Sequence, residues 1–252
     1  MDHAVIELKT AEEIACMRRA GAMVAQVLQQ LRSVVRSGMT TRDLDAEAER
    51  HLKKLGGRPA FKGYRGFPAT LCASVNEEVV HGIPGPRKLR DGDIIGLDYG
   101  VEISGFYADG AITVPVGAIP AEAQRLLQVT EEALTRGIAA VRVGERLSNI
   151  SVAVQRHAES AGYSVVRQFV GHGIGRNIHE DPPVPNYGEP DRGPRLKVGM
   201  VIAIEPMVNV GGPEVEIMPD GWTVVTTDRK LSAHFEHTVA ITDEGPRVLT
   251  GP

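Results

Sequence analysis

The sequence predicts an α+β fold made of two similar halves that are related by a pseudo-twofold axis and share one core. Two helical segments followed by strand-like segments occur in the first half, and the same order recurs in the second half. The 252 residues contain 42% hydrophobic side chains, which is enough to bury a large core. No Ser/Pro-rich linker or low-complexity segment interrupts the chain, so we expect a single domain over residues 1–252.

The first half begins with two predicted helices. Thr10 and Glu13 form a capping-box pattern, and apolar residues at three- and four-residue spacing continue this helix to about residue 36. The second helix begins at residue 40 or 41 and ends at Gly56, because glycine readily adopts the left-handed conformation that stops a helix. A short apolar stretch and a hairpin complete this half.

The hairpin, residues 94–112, carries two aspartates, Asp98 and Asp109. If its turn is centred on Ile103 and Ser104, Asp98 lies directly opposite Asp109, with Cα atoms about 4.5–5.5 Å apart. Facing carboxylates repel each other, so one must be protonated or a cation must lie between them. The alternative is a bulge that shifts the register and turns both acids to solvent.

An internal repeat relates the two halves, which we expect at residues 10–115 and 116–250. Two blocks recur with one residue inserted between them: residues 35–56 as 141–162, and residues 89–98 as 196–205. Asp98 and Glu205 are therefore counterparts, so each half brings an acid to the end of an apolar strand. Chance similarity between two helix-turn segments is the alternative, and the agreement of two separate blocks argues against it.

Three further residues of metal-binding type lie against apolar strands or glycine-rich turns: His172, Glu205 and Glu236. Taken singly, each is more often a hydrogen-bonded structural residue than a ligand. Together with Asp98 and Asp109 they would carry a charge of about −4, and burying it unpaired would cost several kcal/mol per ion. Two divalent cations, of Mn²⁺, Fe²⁺, Co²⁺ or Zn²⁺, would neutralise that charge and activate a water for hydrolysis.

Charge and cysteine content exclude several classes of function. The net charge is −4, with acids and bases mixed along the chain, so we expect no nucleic acid substrate. No segment approaches a membrane-spanning length and the N-terminus lacks a signal-peptide pattern, which predicts no membrane association and a cytoplasmic protein. Cys16 and Cys72 form neither a disulfide framework nor a metal-type pair, which suits a reducing compartment.

An ordered set of motifs resembles the type I methionine aminopeptidases. The motifs are residues 76–84, the Asp98 and Asp109 pair, residues 171–175 with 179–180, residues 204–207 and residues 232–238. The resemblance runs from the first helix to the last strand. It implies the pita-bread fold, in which a central antiparallel sheet is covered by helices.

The resemblance also implies an activity and its residues. The protein would be a metal-dependent aminopeptidase that removes the N-terminal initiator methionine when the second residue is small, through a water activated by two metal ions. The implied metal ligands are Asp98, Asp109, His172, Glu205 and Glu236. Asp109 and Glu236 would bridge both ions, and Glu205 would shuttle a proton to the leaving amine. Two further catalytic residues, His81 and His179, would hydrogen-bond the scissile amide and the tetrahedral intermediate.

A methionine pocket follows from the same resemblance. Its implied lining residues are Tyr64, Phe67, Cys72, Ile178 and Trp222. An unbranched thioether packs well against aromatic rings and a thiol, although these residues could instead belong only to the core. The chain departs from the common family pattern at Arg65, Gly110 and Ile178, positions that bear on substrate preference and rate.

Partners and alternatives are also implied. Nascent polypeptide N-termini would be the substrates, with transient ribosome association, and the protein would act as a monomer. One alternative is a proline-directed peptidase of the same fold, such as prolidase or aminopeptidase P. Such enzymes usually carry an additional N-terminal domain, for which 252 residues leave no room. The other alternative is a non-catalytic pita-bread binding protein; such relatives lose metal ligands, and this chain keeps all five.

Overall fold

The computed structural model describes residues 5–251 and contains four α-helices in that range. Their bounds are α1, Ala11–Val34; α2, Thr41–Leu55; α3, Ala121–Ala139; and α4, Ser148–Ser160. Capping boxes at Thr10 with Glu13 and at Thr40 with Asp43 begin the first two helices, and Gly56 ends α2 with φ 81°. Both helices predicted for the first half are therefore confirmed. None of the helices in residues 5–251 is both long and apolar enough to cross a bilayer.

Fifteen strands lie in the same range. They are β1, Arg58–Pro59; β2, Leu71–Val75; β3, Glu78–Val80; β4, Ile94–Ile103; β5, Phe106–Pro115; β6, Ser164–Val165; β7, Gly171–Gly173; β8, Glu180–Val184; β9, Val201–Ile204; β10, Met207–Asn209; β11, Val215–Ile217; β12, Val224–Thr226; β13, Ser232–His234; β14, Glu236–Thr242; and β15, Gly245–Val248. A single turn of 3₁₀ helix, Tyr64–Gly66, separates β1 from β2.

Nine strands form one antiparallel sheet in the order β1-β4-β5-β14-β9-β7-β8, with β2 also paired to β4 and β15 to β14. Strand β14 lies between β5 and β9, so it joins strands of the first half to strands of the second. Two three-stranded sheets, β13-β10-β6 and β11-β12-β3, flank the central one. The predicted α+β class with a central antiparallel sheet is confirmed.

The register of the β4–β5 hairpin differs from the prediction. Asp98 pairs with Ala111 and Asp109 pairs with Gly100, so the expected direct opposition of the two aspartates is wrong. The two-residue turn consists of Ser104 and Gly105, with φ 54° and 79°, as the hairpin-favouring type I′ turn requires. A β-branched residue such as Ile103 avoids positive φ and stays in the ladder, which moves the turn one residue along.

This correction leaves both aspartates on the same face, because the pairing partner changed by two residues and side chains alternate along a strand. The ladder runs without a bulge from Ile94 to Ile103, and Asp109 is only 3% exposed. The alternative in which a bulge turns both acids to solvent is therefore excluded as well.

Equivalent backbone contacts occur in the two repeated blocks. The Gly38 amide donates to the Leu89 carbonyl at 2.9 Å, and the Gly144 amide donates to the Leu196 carbonyl at 2.9 Å. Isolated β-bridges also correspond, since Thr40 pairs with Lys88 and Arg146 with Arg195. These contacts follow the alignment of the sequence repeat. The division of a single domain into halves at residues 10–115 and 116–250 stays a prediction.

The main core lies between one face of the central sheet and the helices. Helices α1 and α2 pack their buried apolar residues against β2, β4 and β5, and fully buried Tyr99 and Leu97 lie in that cluster. A second cluster joins Leu134 of α3 and Ile150 of α4 to β9 and β14. Burial of each such large side chain contributes about 1.5–3 kcal/mol to the stability of the fold. This packing fixes the shape of the sheet and therefore the positions of the side chains on its opposite face.

Candidate metal centre and substrate cavity

Five strands deliver the five candidate metal ligands to one face of the central sheet. Asp98 lies on β4, Asp109 on β5, His172 on β7 and Glu236 at the start of β14, while Glu205 directly follows β9. Four pairings, together with the alternation of side chains along each strand, give all five the same side of the sheet: Asp98 with Ala111, Glu236 with Ala111, Thr238 with Ala203 and Gly173 with Ile202. The register, rather than any one loop, therefore brings these side chains together.

Three of the five form a compact buried group. Ligand atoms of Asp109, His172 and Glu236 all lie within 4.8 Å of one another. Glu205 adjoins the group, because its Oε1 lies 3.6 Å from His172 Nε2, and Asp109 Oδ2 lies 3.5 Å from the same nitrogen. Asp98 is the diagonal neighbour of Asp109 on the hairpin.

His172 presents one nitrogen to the acids. Its Nδ1 lies 2.9 Å from the Gly173 carbonyl oxygen, which assigns the proton to Nδ1 and leaves the lone pair of Nε2 facing the carboxylates. Burial lowers the pKa of His172 to about 4, so the imidazole is neutral near pH 7. A neutral ring whose other nitrogen donates to a carbonyl is the usual state of a metal-binding histidine.

The four carboxylates are in an unfavourable environment without cations. Burial, followed by the charge of neighbouring acids, raises the pKa values of Asp98, Glu205 and Glu236 well above their usual range. Burial also raises the pKa of Asp109 to about 6. Asp98 Oδ1 is buried and has no hydrogen-bond partner among the described residues. An orphaned carboxylate oxygen beside three other acids and an imidazole fits a pair of hard or intermediate divalent cations.

Two residues that sequence reasoning missed lie next to the acids, and one of them, Thr238, is hydrogen-bonded to Asp109. Thr238 Oγ1 lies 2.7 Å from the Asp109 carbonyl oxygen and 3.1 Å from Asp109 Oδ1, and it accepts the Asp109 amide at 3.1 Å. The imidazole of His234 is buried, with Nε2 3.7 Å from Glu205 Oε2. Thr238 lies two residues after Glu236 on one strand, so its position on the same face was the available signal.

A cavity of about 340 Å³ lies over this group. All five candidate ligands line it, together with His81, His179, Tyr64, Phe67, Cys72 and Trp222. Ile178 is not among the described residues that line it; its side chain is 2% exposed and packs with Ile14 and Met17 in the core. The segment 168–170 lines the cavity as well, and sequence reasoning did not identify it.

Two uncharged histidines face the cavity. Burial lowers the pKa values of His81 and His179 to about 4 each, which keeps both rings neutral near pH 7. His179 Nδ1 lies 2.9 Å from the Tyr64 hydroxyl, and its ring centroid lies 4.3 Å from that of His172. His81 has φ 60°, and its ring contacts Phe169 edge to face at 5.8 Å. Both imidazoles are thus available as hydrogen-bond donors beside the candidate metal centre.

An apolar wall closes one side of the cavity. The rings of Phe67 and Trp222 meet edge to face at 5.1 Å, and Phe67 packs with Cys72 in a small cluster. Cys72 pairs with Asp98 in the β2–β4 ladder, and burial raises the pKa of its thiol, so the group stays protonated and apolar. A side chain bound there would lie directly beside the acids.

The other two departures from the family pattern differ in their surroundings. Arg65 lies exposed at the cavity with φ 48°, and its guanidinium carbon is 5.3 Å from the centre of the Tyr64 ring. Gly110 lies in tighter packing, because a Cβ there would be 3.3 Å from the Glu236 carbonyl oxygen and 3.4 Å from Val24. A larger residue at position 110 would therefore require a small shift of β14.

Comparisons with known proteins agree with this architecture. The model of metallopeptidase family M24 matches residues 15–243. Methionine aminopeptidase 1 of Bacillus subtilis is 53% identical over 246 residues, covering 98% of this chain and 99% of that protein. The crystal structure of methionine aminopeptidase from Thermotoga maritima matches with a TM-score of 0.97 at 44% identity, covering 98% of this chain and all of the other.

A third match, to a prolidase, shows the same fold at much lower sequence identity. Prolidase from Pyrococcus furiosus is 24% identical with a TM-score of 0.78, and the match covers 97% of this chain but 65% of that enzyme. Identity this low supports the shared pita-bread fold alone, whereas the methionine aminopeptidases match along nearly their whole length. The chain therefore belongs to metallopeptidase family M24 and, within it, to the methionine aminopeptidases.

Proposed function

We propose that this protein removes the initiator methionine from nascent polypeptides with two divalent cations held by Asp98, Asp109, His172, Glu205 and Glu236. The observation that carries the proposal is the juxtaposition of this acidic group with an apolar wall in one cavity. Such a pairing of a hydrophobic pocket with convergent polar groups of raised pKa is characteristic of an active site. Metallo-aminopeptidase activity in the M24 family accounts for both parts.

The apolar wall suits the methionine side chain. Phe67 and Trp222 offer aromatic edges and Cys72 a neutral thiol, and a flexible thioether adapts well to such surfaces. The second side chain would have to fit against the candidate metal centre in the same cavity. We therefore expect small second residues to be accepted and long charged ones to be rejected.

The acids and histidines have distinct tasks. Asp109 and Glu236, which lie with His172 at the centre of the group, would hold the two cations together with Asp98, His172 and Glu205. Bound cations would supply Lewis acidity and lower the pKa of a water that attacks the scissile carbonyl. Glu205, whose Oε1 lies beside His172 at the edge of the group, would take a proton from that water and pass it to the leaving amine.

The two neutral histidines act on the peptide. When the Tyr64 hydroxyl donates to His179 Nδ1, the proton of that ring lies on Nε2 and can be donated to the developing oxyanion. His81, which is also neutral, is placed to hydrogen-bond the scissile amide. Neutral donors of this kind stabilise the transition state without adding a charge that would repel the cations.

The cellular setting follows from the substrate. Nascent N-termini emerge at the ribosome, so we propose a cytoplasmic monomer that associates with ribosomes transiently. The ligand set discriminates poorly among Mn²⁺, Fe²⁺, Co²⁺ and Zn²⁺, and each is a candidate. Metal analysis of the purified protein and co-sedimentation with ribosomes test these two points.

A peptide assay tests the activity. We expect release of methionine from Met-Ala-Ser but not from a Met-Lys peptide, loss of that release on chelation, and recovery when Mn²⁺ or Co²⁺ is returned. An Xaa-Pro peptide serves as the control for the proline-directed alternative. Equal rates on Met-Ala-Ser and Xaa-Pro substrates, or activity that survives chelation, would contradict the proposal.

A further inference from the structure

A buried lysine lies directly behind the loop that carries His179. Lys9 precedes α1, and its side chain is only 4% exposed. Its ammonium donates to Glu180 Oε2, whose side chain is 9% exposed, and also to the Glu7 carbonyl oxygen at 3.2 Å. Desolvating a lysine and a glutamate is costly, so a buried pair of this kind is weak evidence of stability and calls for another explanation.

Both ends of Lys9 are held by the protein. Its amide donates to the Gly199 carbonyl at 2.7 Å, in the turn that leads into β9. Its side chain fills the space beside Gly175, where a Cβ would overlap Lys9 Cε. Lys9 therefore spans from the strand that precedes Glu205 to the loop of residues 174–179.

Glu180 transmits this anchor to the loop. Its Oε1 accepts the Asn177 amide at 3.0 Å, and the Gly175 amide donates to the Asn177 carbonyl at 3.1 Å. Glu180 also pairs with Gly173 in the β7–β8 ladder, next to His172. Because His179 immediately precedes Glu180, the same carboxylate that binds Lys9 fixes the end of the loop from which the imidazole projects.

Lys9 does not touch the reaction itself, since it is absent from the described residues that line the cavity over the metal centre. We infer that the Lys9–Glu180 ion pair is a positioning device for His179: it holds the loop of residues 174–179 so that the imidazole faces the scissile bond. This inference rests on the proposed role of His179. The two residues act through the loop and are not catalytic residues.

The first test is steady-state kinetics on Met-Ala-Ser at saturating Mn²⁺. Lys9→Met keeps the aliphatic stem against Gly175 and removes the charge. We expect kcat to fall about 10- to 100-fold, as for a displaced catalytic group, with KM changed by less than about twofold and the Mn²⁺ stoichiometry unchanged. Arg176→Met is the matched control, because Arg176 lies in the same loop and its ion pair with Glu13 is exposed; its kcat should stay at the wild-type value.

The second test compares genetic backgrounds. If Lys9 acts through His179, Lys9→Met will lower kcat in the wild type but by less than about twofold in the His179→Ala variant. Equal losses in both backgrounds, or loss of bound Mn²⁺ in Lys9→Met, would overturn the positioning role alone. A His179→Ala variant with wild-type kcat would instead refute the proposed role of His179, and the positioning role with it.

Lys9→Met leaves the Glu180 carboxylate buried without its partner and could unfold the protein, so a third test uses a variant that lacks both charges. Lys9→Met/Glu180→Gln removes both charges and keeps an oxygen for the Asn177 amide, so the fold should survive even where Lys9→Met does not. We expect the same fall in kcat and faster hydrogen exchange in residues 174–180, with unchanged exchange in α4. Wild-type exchange of the loop together with wild-type kcat would overturn the inference.

Discussion

Asp98 faces Ala111 across the β4–β5 ladder, so Asp109 is its diagonal neighbour rather than its direct partner. Diagonal positions are about 7–8 Å apart at Cα, compared with 4.5–5.5 Å for direct partners. The wider spacing lets both carboxylates point at a shared space between them instead of at each other. A hairpin with this register is thus suited to hold cations between two acids.

Replacement of Asp98 by asparagine should separate stability from metal affinity. Burial and the nearby Asp109 charge raise the pKa of Asp98, so its ionised form destabilises the metal-free protein near pH 7. In EDTA we expect Asp98→Asn to melt higher than the wild type, by about 2–4 °C per kcal/mol gained. With Mn²⁺ the order should reverse. A lower melting temperature of the variant in EDTA would show that this charge does not destabilise the fold.

The advantage of Asp98→Asn in EDTA should also depend on pH. A carboxyl whose folded-state pKa is raised binds its proton more readily in the folded than in the unfolded protein, so acid relieves the destabilisation. As the pH falls from 7 toward about 4, the usual aspartate pKa, the difference in melting temperature should shrink. Calorimetric scans of both proteins at several pH values measure it. A difference that grows toward acid would contradict the assigned pKa direction.

Asp109→Asn should abolish metal binding, because an amide bridges two cations poorly and Asp109 lies at the centre of the candidate group. Titration calorimetry with Mn²⁺ measures the loss. Glu102→Gln is the matched control on the same hairpin, since Glu102 binds Arg58 and not the cavity, and it should bind Mn²⁺ normally. If Asp109→Asn still bound two Mn²⁺ ions with unchanged affinity, Asp109 would not be a metal ligand.

The hairpin turn offers two substitutions of opposite sign. A Cβ on Gly105 would meet nothing within 4 Å, so Gly105→Ala tests only the backbone at φ 79° and should lower the free energy of unfolding by about 1–2 kcal/mol. Ser104→Asn introduces the Asn-Gly pair that type I′ turns favour and should raise it by about 0.5 kcal/mol. Urea denaturation distinguishes the two. Equal effects of both changes would argue against the Ser104-Gly105 turn.

Tyr64→Phe should lower kcat by removing the hydroxyl that lies 2.9 Å from His179 Nδ1. A net hydrogen bond of about 0.5–1.5 kcal/mol corresponds to a loss of about 2- to 12-fold. KM for Met-Ala-Ser should change less. Tyr163→Phe is the control and should retain full activity, because the Tyr163 ring contacts Arg125 and is not among the described residues that line the cavity. An unchanged kcat in Tyr64→Phe would show that the hydroxyl does not set the His179 tautomer.

Local signals predicted the helices well, because capping boxes and glycine stops act within a few residues. The caps at Thr10 and Thr40 and the end at Gly56 are of this kind. The prediction of the hairpin register was wrong, because the two possible turn positions differ only in which residues adopt positive φ. The choice of Ser104 over Ile103 follows from side-chain sterics that the apolar pattern does not contain.

Contacts between distant segments lay beyond sequence reasoning. The Lys9–Glu180 pair joins residues 171 positions apart, and no periodicity in one sequence marks such a partner. Ile178, a pocket position that the resemblance implies, lies in a core cluster against which Tyr64 packs, and its place in the methionine pocket stays a prediction. The sequence predicted which acids cluster, whereas their neighbours Thr238 and His234 could be identified only from the assembled sheet.

The candidate metal centre depends on β14, a strand near the C-terminal end of the sequence that lies in the middle of the central sheet. Thr238 and Asp109, which are hydrogen-bonded to each other, are 129 positions apart in the sequence. Strand β14 must therefore insert between two strands, β5 and β9, that both precede it in the chain. A chain that ends before residue 236 contains Asp98, Asp109, His172 and Glu205 but has neither Glu236 nor the strand that joins β5 to β9. We therefore expect metal-dependent peptidase activity to begin only once β14 has entered the sheet.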